Sequence, residues 1–421
     1  TYGQIAADVS LQHTAIEHEY TPSLRFQNRA RVGYTHFTFE TAFGTELTAQ
    51  ASYNAFLARD AFRYSPTPWL TAELGLDAEL GRYNADVVDI ATPKEGEPRG
   101  YVDVSADRRA LDAPFENLAI GGWLHLELRP TDKLSIVPGV RMDRHAQVKG
   151  ATVDPRISAR YALLEQLALK AGTGVHHGQP AGDEAIQAFG NVNIRNERAL
   201  HHSAGLELSP LAFLHLDLTG FYHQLERLSV PSDRVVIREG ESVPLLYENT
   251  GEGRAYGMEV MLRHDLSHRL SGWLAYTLAR AERRPNSDEP YRLFDFDQTH
   301  TLALVAAYQL PWQMQVSTRF RYRTGRPTTP VTGAVFVSNT DGYAPTFGAT
   351  NTARLPSFHQ LDLRLDKRWL FDRWSFTGYL DVQNVYNHNN ATDLTYSYDY
   401  KQRDQVKGLP LLAIVGFKAE Y

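Results

Sequence analysis

The chain has 421 residues, 43% of them hydrophobic, enough to bury a core, and its net charge of −6 supplies no basic footprint for nucleic acid. It has no cysteine, which excludes disulfides, thiol catalysis and thiolate metal sites. No run of 18 or more apolar residues is present, so a membrane helix is excluded. A negative mean hydropathy remains compatible with a membrane barrel, where only alternate strand residues meet lipid.

The start, Thr1-Tyr2-Gly3-Gln4, has no basic, apolar leader and reads as a processed or truncated beginning. Residues 2–86 already read as strands, from Gly3-Gln4-Ile5-Ala6-Ala7-Asp8-Val9 onward. Leu134, Ile136, Val140 and Met142 lie on one strand face, and Leu214, Leu216, Leu218, Gly220 and Tyr222 on another. Next come Leu302, Leu304, Ala306, Tyr308 and Leu310. From Trp312, the residues Met314, Val316, Thr318, Phe320 and Tyr322 alternate with Gln313, Gln315, Ser317, Arg319, Arg321 and Arg323. His359, Leu361, Leu363, Leu365 and Trp369 then oppose Gln360, Asp362, Arg364, Asp366 and Arg368. Trp374, Phe376, Gly378, Leu380 and Val382 close the series against Ser375, Thr377, Tyr379, Asp381 and Gln383. Period two sustained over about ten residues predicts tilted membrane strands.

A soluble sandwich also alternates, and three features favour a membrane barrel. Short turns such as 130–133, 265–268, 309–312 and 370–373 alternate with long polar connections at 85–117, 178–198, 229–251, 324–356 and 387–409. Trp69, Trp312, Trp369, Phe371 and Trp374 gather at the short-turn end, as a periplasmic aromatic girdle would. The polar faces hold more charge than a dry core accepts. The expectation is an all-β transmembrane antiparallel barrel with about seventeen strands. Closed single-chain bacterial barrels have an even number of strands, so an odd count suggests that some are missing before Thr1.

The later part of the chain resembles the barrels of TonB-dependent outer-membrane receptors. Asp295-Phe296-Asp297-Gln298-Thr299-His300 looks like the opening of one of their late strands. Thr324-Gly325-Arg326-Pro327-Thr328-Thr329-Pro330 is similar to their Ser-Gly-x-Pro-Tyr-Thr-Pro loop entrance. Arg354-Leu355-Pro356-Ser357-Phe358-His359-Gln360-Leu361-Asp362-Leu363-Arg364 resembles the loop end that follows. Asp381-Val382-Gln383-Asn384-Val385-Tyr386-Asn387 is similar to their Asp-Val-x-Asn-Leu-Phe-Asn. Val153-Asp154-Pro155-Arg156, Gly190-Asn191-Val192-Asn193 and Glu197-Arg198-Ala199 fit the mid-barrel pattern. The likeness is strongest over 118–421 and implies one barrel domain over 1–421, part of a probable 22-strand wall. The family's N-terminal plug and TonB box are not visible in this sequence.

Gly416, Ala419 and the terminal Tyr421 fall on the spacing of the signal read by the barrel-assembly machinery, with Ile414 departing at its polar position. The resemblance implies a bacterial outer-membrane transporter taking up a large, scarce nutrient, with TonB acting through a plug. The alternatives are a non-transporting interaction subunit of an envelope assembly and a passive pore. No enzyme, no cofactor and no nucleic-acid partner are expected. The expected partners are outer-membrane lipid, the assembly machinery, TonB, an unidentified large ligand and other envelope subunits.

Arg319, Arg321 and Arg323 form a ladder with Asp362, Arg364 and Asp366 as further lumen candidates. The ladder could guide an anion or anchor a plug, but pairing with Glu259, Asp362 or Asp366 would explain it structurally. His176-His177 and His201-His202 cannot chelate as adjacent pairs, since neighbours on a strand point oppositely, so no metal site is assigned.

Overall fold

The computed structural model describes residues 5–43, 47–89, 109–180, 183–185, 190–238, 240–338 and 342–421. Its main sheet holds 18 strands, one of them the two-residue segment Arg292–Leu293 beside the strand Leu270–Arg284. The other seventeen follow in chain order. They are β1 Ile5–Ser23, β2 Phe26–Phe43, β3 Leu47–Thr67, β4 Leu70–Asp89, β5 Arg109–Thr131 and β6 Leu134–His145. Then come β7 Ala151–Leu164, β8 Leu167–Gly178, β9 Glu197–Leu211, β10 Leu214–Arg238, β11 Glu241–Ser267 and β12 Leu270–Arg284. The wall ends with β13 His300–Leu310, β14 Met314–Arg323, β15 Phe358–Leu370, β16 Ser375–Gln383 and β17 Leu412–Glu420. Each strand pairs antiparallel with the next, as short local connections favour. Among the described residues β1 pairs only with β2, and β17 only with β16.

The register carries one face across strands. Leu304, Phe320 and Leu361 lie in one row, and Leu365 is opposite both Val316 and Leu380. The intervening row is Val305, Arg319 and Asp362. One face is therefore apolar and the other charged, as the period of two requires. The apolar face is not folded inward. Phe56 is 61% exposed, Leu76 60% and Ile120 51%, so the chain has the reverse of a soluble core.

Two of the expected long loops are shorter than the sequence pattern suggests. The 229–251 region continues as strand to Arg238 and from Glu241, while β4 and β5 run to Asp89 and from Arg109. Polar residues interrupt the apolar alternation within 229–251, so a hydropathy reading breaks there, but backbone pairing continues and buries Val230 and Leu245. The 324–356 and 387–409 loops contain hairpins of their own, Val331–Val337 with Gly342–Phe347 and Ala391–Tyr396 with Arg403–Lys407.

Candidate functional site

The motifs at the long-loop end knit together. The guanidinium of Arg354 meets the Asp297 carboxylate at 2.5 Å, and the same residue donates to the Gly325 carbonyl at 2.9 Å. Asp297, only 2% exposed, also accepts the backbone N–H of Ala281. A Cβ on Gly325 would lie 1.7 Å from the Leu355 carbonyl oxygen, so this crossing admits no side chain. Asn351 donates to Asp295 at 2.7 Å, joining the loop end to the same knot. Asp362 accepts the backbone N–H of Asn384 at 2.9 Å, while the Asn384 amide donates to the carbonyls of His388 and Leu409. These segments staple strand ends together.

The arginine ladder is partly neutralised. Arg319 donates to Asp362 at 2.7 Å, and Arg321 reaches the same oxygen at 3.5 Å. Arg323 stacks over the Phe358 ring at 4.7 Å, and Arg364 pairs with Asp366 at 2.7 Å. Among the described residues neither Glu259 nor Asp366 pairs with the ladder. The Nε of Arg321 is buried without a hydrogen-bond partner. A second polar cluster was not anticipated from sequence: Arg141 bridges Asp77 (3.1 Å) and Asp143 (2.6 Å) beside Trp123, whose ring also lies under Arg59. Asp143 is two residues along the same strand face, but Asp77, Trp123 and Arg59 are distant in sequence and only the register brings them to Arg141.

The histidines divide. His201 stacks on His223 with centroids 3.8 Å apart and meets His176 tilted at 34° and 4.5 Å, whereas His177 binds Asp154 and His202 binds Thr173. No group of three or more His, Asp or Glu that could hold a metal ion is present among the described residues.

Trp69, Trp312, Trp369 and Trp374 all stand at the short-turn end, with Phe371 stacked on Trp374 at 4.3 Å. Gly416 faces Tyr379, whose ring would lie 2.1 Å from an added Cβ, so this glycine accommodates an aromatic side chain. Ala419 sits opposite Phe376, and Tyr421 follows the last strand, fully exposed. On the apolar face, Asp60 stands between Ala30 and Leu76 and accepts a 2.5 Å hydrogen bond from Asn28.

A cavity of about 350 Å³ opens between the two loop hairpins, at the end of the sheet away from the short turns. Tyr343, Phe347, Asp393, Tyr396, Tyr398 and Tyr400 line it. The Tyr343 ring meets Tyr398 edge-on at 5.5 Å, and Tyr396 lies 5.8 Å from Tyr400. Burial pushes the Tyr400 hydroxyl above its ordinary value. The Ser397 hydroxyl and the Lys401 N–H, both donating to Asp399, hold its carboxyl below the usual range. The alternation Thr395-Tyr396-Ser397-Tyr398-Asp399-Tyr400 was the available signal, lost within a loop read only as polar.

The sequence matches the family described as TonB dependent receptor-like, beta-barrel, over residues 3–387. The chain belongs to the TonB-dependent receptor β-barrel family. It is a Gram-negative outer-membrane protein, and its family consists of receptors and transporters, not enzymes. TonB-dependent receptors act with TonB and with ligands. The ferric enterobactin receptor PfeA of Pseudomonas aeruginosa, with enterobactin bound, superposes with a TM-score of 0.71 at 12% identity, over 98% of this chain and 62% of that one. The siderophore receptor PiuA of Acinetobacter baumannii gives 0.69 at 15% identity, over 98% and 65%. The unliganded ferric citrate transporter FecA gives 0.69 at 15%, over 100% and 62%. This chain thus spans less than two thirds of each of these TonB-dependent receptors. No curated protein matches it.

Proposed function

We propose that this chain is the wall and ligand-reading surface of an outer-membrane receptor that imports a large, scarce nutrient with energy delivered through TonB. The apolar face meets lipid and the charged face lines the lumen, where a plug packs against the arginine ladder. The observation that carries the reading is the tyrosine-lined cavity held by two hairpins over the strand ends, since binding residues concentrate on loops fixed by a rigid wall. The two sheet edges that have no partner among the described residues are closed by further strands, because unpaired backbone groups in lipid cost several kcal/mol each. The test is growth of isogenic strains lacking this protein or TonB on single defined sources of iron, cobalamin, glycan or peptide. Both strains must fail on the same source.

A second reading, an interaction subunit of an envelope assembly, has one observation in its favour. Asp60 and Asn28 place polar groups on the face that otherwise suits lipid. Normal growth on every source, with envelope defects in the strain lacking this protein, would select that reading.

A further inference from the structure

We propose that the loop cavity is an aromatic cage selecting a ligand that presents an organic cation, an ammonium or alkylammonium group, in preference to an anionic chelate. As a statement about cargo this rests on the receptor reading; as a statement about binding it stands on the cavity alone.

Four tyrosines and Phe347 supply the aromatic lining, and Asp393 supplies its one carboxylate. Among the described residues no lysine or arginine lines it. Lys401 is turned to Asp399 at 3.3 Å and Arg326 donates to the Thr392 carbonyl at 3.4 Å, while Arg403, opposite Tyr396 in the register, is exposed and does not line the cavity. Aromatic faces carry the negative part of the ring quadrupole and attract a cation within about 6 Å of the centroid. The Tyr343–Tyr398 pair meets at 88°, making a corner whose two rings face different directions. Phe336 packs on Tyr343 at 5.3 Å and steadies that corner from behind. Asp393 uses one carboxylate oxygen to accept the Leu394 N–H, leaving the other to add negative potential. An anionic ligand would meet that carboxylate and find no counter-charge in the lining. A volume of about 350 Å³ suits a small head group, leaving the remainder of a larger ligand to lie across the hairpins.

The test uses the full protein in detergent and compares choline with 3,3-dimethyl-1-butanol, its neutral isostere, by calorimetry and intrinsic fluorescence. Choline should bind at least about fivefold more tightly, from the cation–π contribution alone. Tyr398→Leu and Asp393→Asn should each weaken choline by roughly fivefold to thirtyfold without changing binding of the neutral isostere. Tyr396→Phe keeps the ring face and should retain choline binding, which separates cage loss from misfolding. Equal binding of the two probes, no binding of either, or tighter binding of maltotriose or citrate would overturn the proposal. Choline binding without any TonB-dependent growth phenotype would leave the cage standing and remove the receptor reading. TonB-dependent uptake of an anion with no choline binding would do the reverse.

Discussion

Replacing Leu363 by arginine tests which face meets lipid. Leu363 lies opposite Thr318 and Val382, in the same face as Leu361 and Leu365. It stands six residues from Trp369 at the short-turn end and four from His359 at the other. A tilted strand gains about 2.5 Å of depth per residue, so those intervals are about 15 and 10 Å of an apolar band about 25 Å tall. The side chain is therefore close to the midplane, where an arginine on the lipid face costs about 2–4 kcal/mol. Leu310, at the last residue of β13 and paired with Met314 beside the turn, is the rim control, expected to cost about 0–1 kcal/mol. Both variants would be titrated with urea in phosphatidylcholine vesicles, reading tryptophan fluorescence and gel mobility, with free energies from linear extrapolation. Equal costs at the two positions, or a cost below about 1 kcal/mol at Leu363, would refute the assignment of faces.

Four further outcomes are expected. Gly325→Ala should lower stability by about 1–3 kcal/mol in the same titration, because its Cβ meets the Leu355 carbonyl; an unchanged midpoint would show that the crossing yields. Arg354→Ala should cost about 3 kcal/mol or more by stranding the buried Asp297, and Arg354→Ala with Asp297→Asn should recover part of that loss. Asp60→Leu should stabilise the isolated protein by up to about 2 kcal/mol if the apolar face meets only lipid, whereas loss of a co-purifying envelope subunit would favour the interaction reading. Deleting Tyr421 should reduce the protein recovered in outer membranes while leaving the unfolding midpoint of the inserted fraction unchanged; undiminished recovery removes the assembly-signal reading.

The wall was legible because period two is both a sequence property and the geometry of a strand. Leu302, Leu304, Leu361, Leu363, Leu365 and Leu380 share a face in the register as their alternation requires, and seventeen wall strands are present. Partners across the sheet were less legible, since pairing depends on loop lengths that alternation does not encode. Hence Arg319 and Arg321 found Asp362, one of three carboxylates considered, and Arg141, already beside Asp143 on its own strand face, found Asp77 without any sequence signal. The strand portions within 229–251 were missed for a related reason. Register shifts between Leu225 and Leu228, Leu228 and Val230, and Ser232 and Val235 break the alternation there, so the period of two falls silent while backbone pairing continues and Val230 and Leu245 are buried.

The family-like segments and the candidate ligand cavity obey different physics, which is why recognising one did not reveal the other. Gly325, Arg354, Asp297, Asp362 and Asn384 meet constraints with few solutions: a crossing with no room for a Cβ, and buried polar groups that must find partners. Such constraints tie residue identity to position, so they leave a readable sequence pattern. The cavity asks only that several rings and one carboxylate face a common space. Two hairpins with internal pairing can meet that requirement through many sequences. Tyr343 and Tyr398 make their corner across 55 residues of chain, one on a strand of the first hairpin and the other in the turn of the second, and neither hairpin pairs with a wall strand among the described residues. The wall fixes where the hairpins emerge, and the side chains on those hairpins are left to set what is bound.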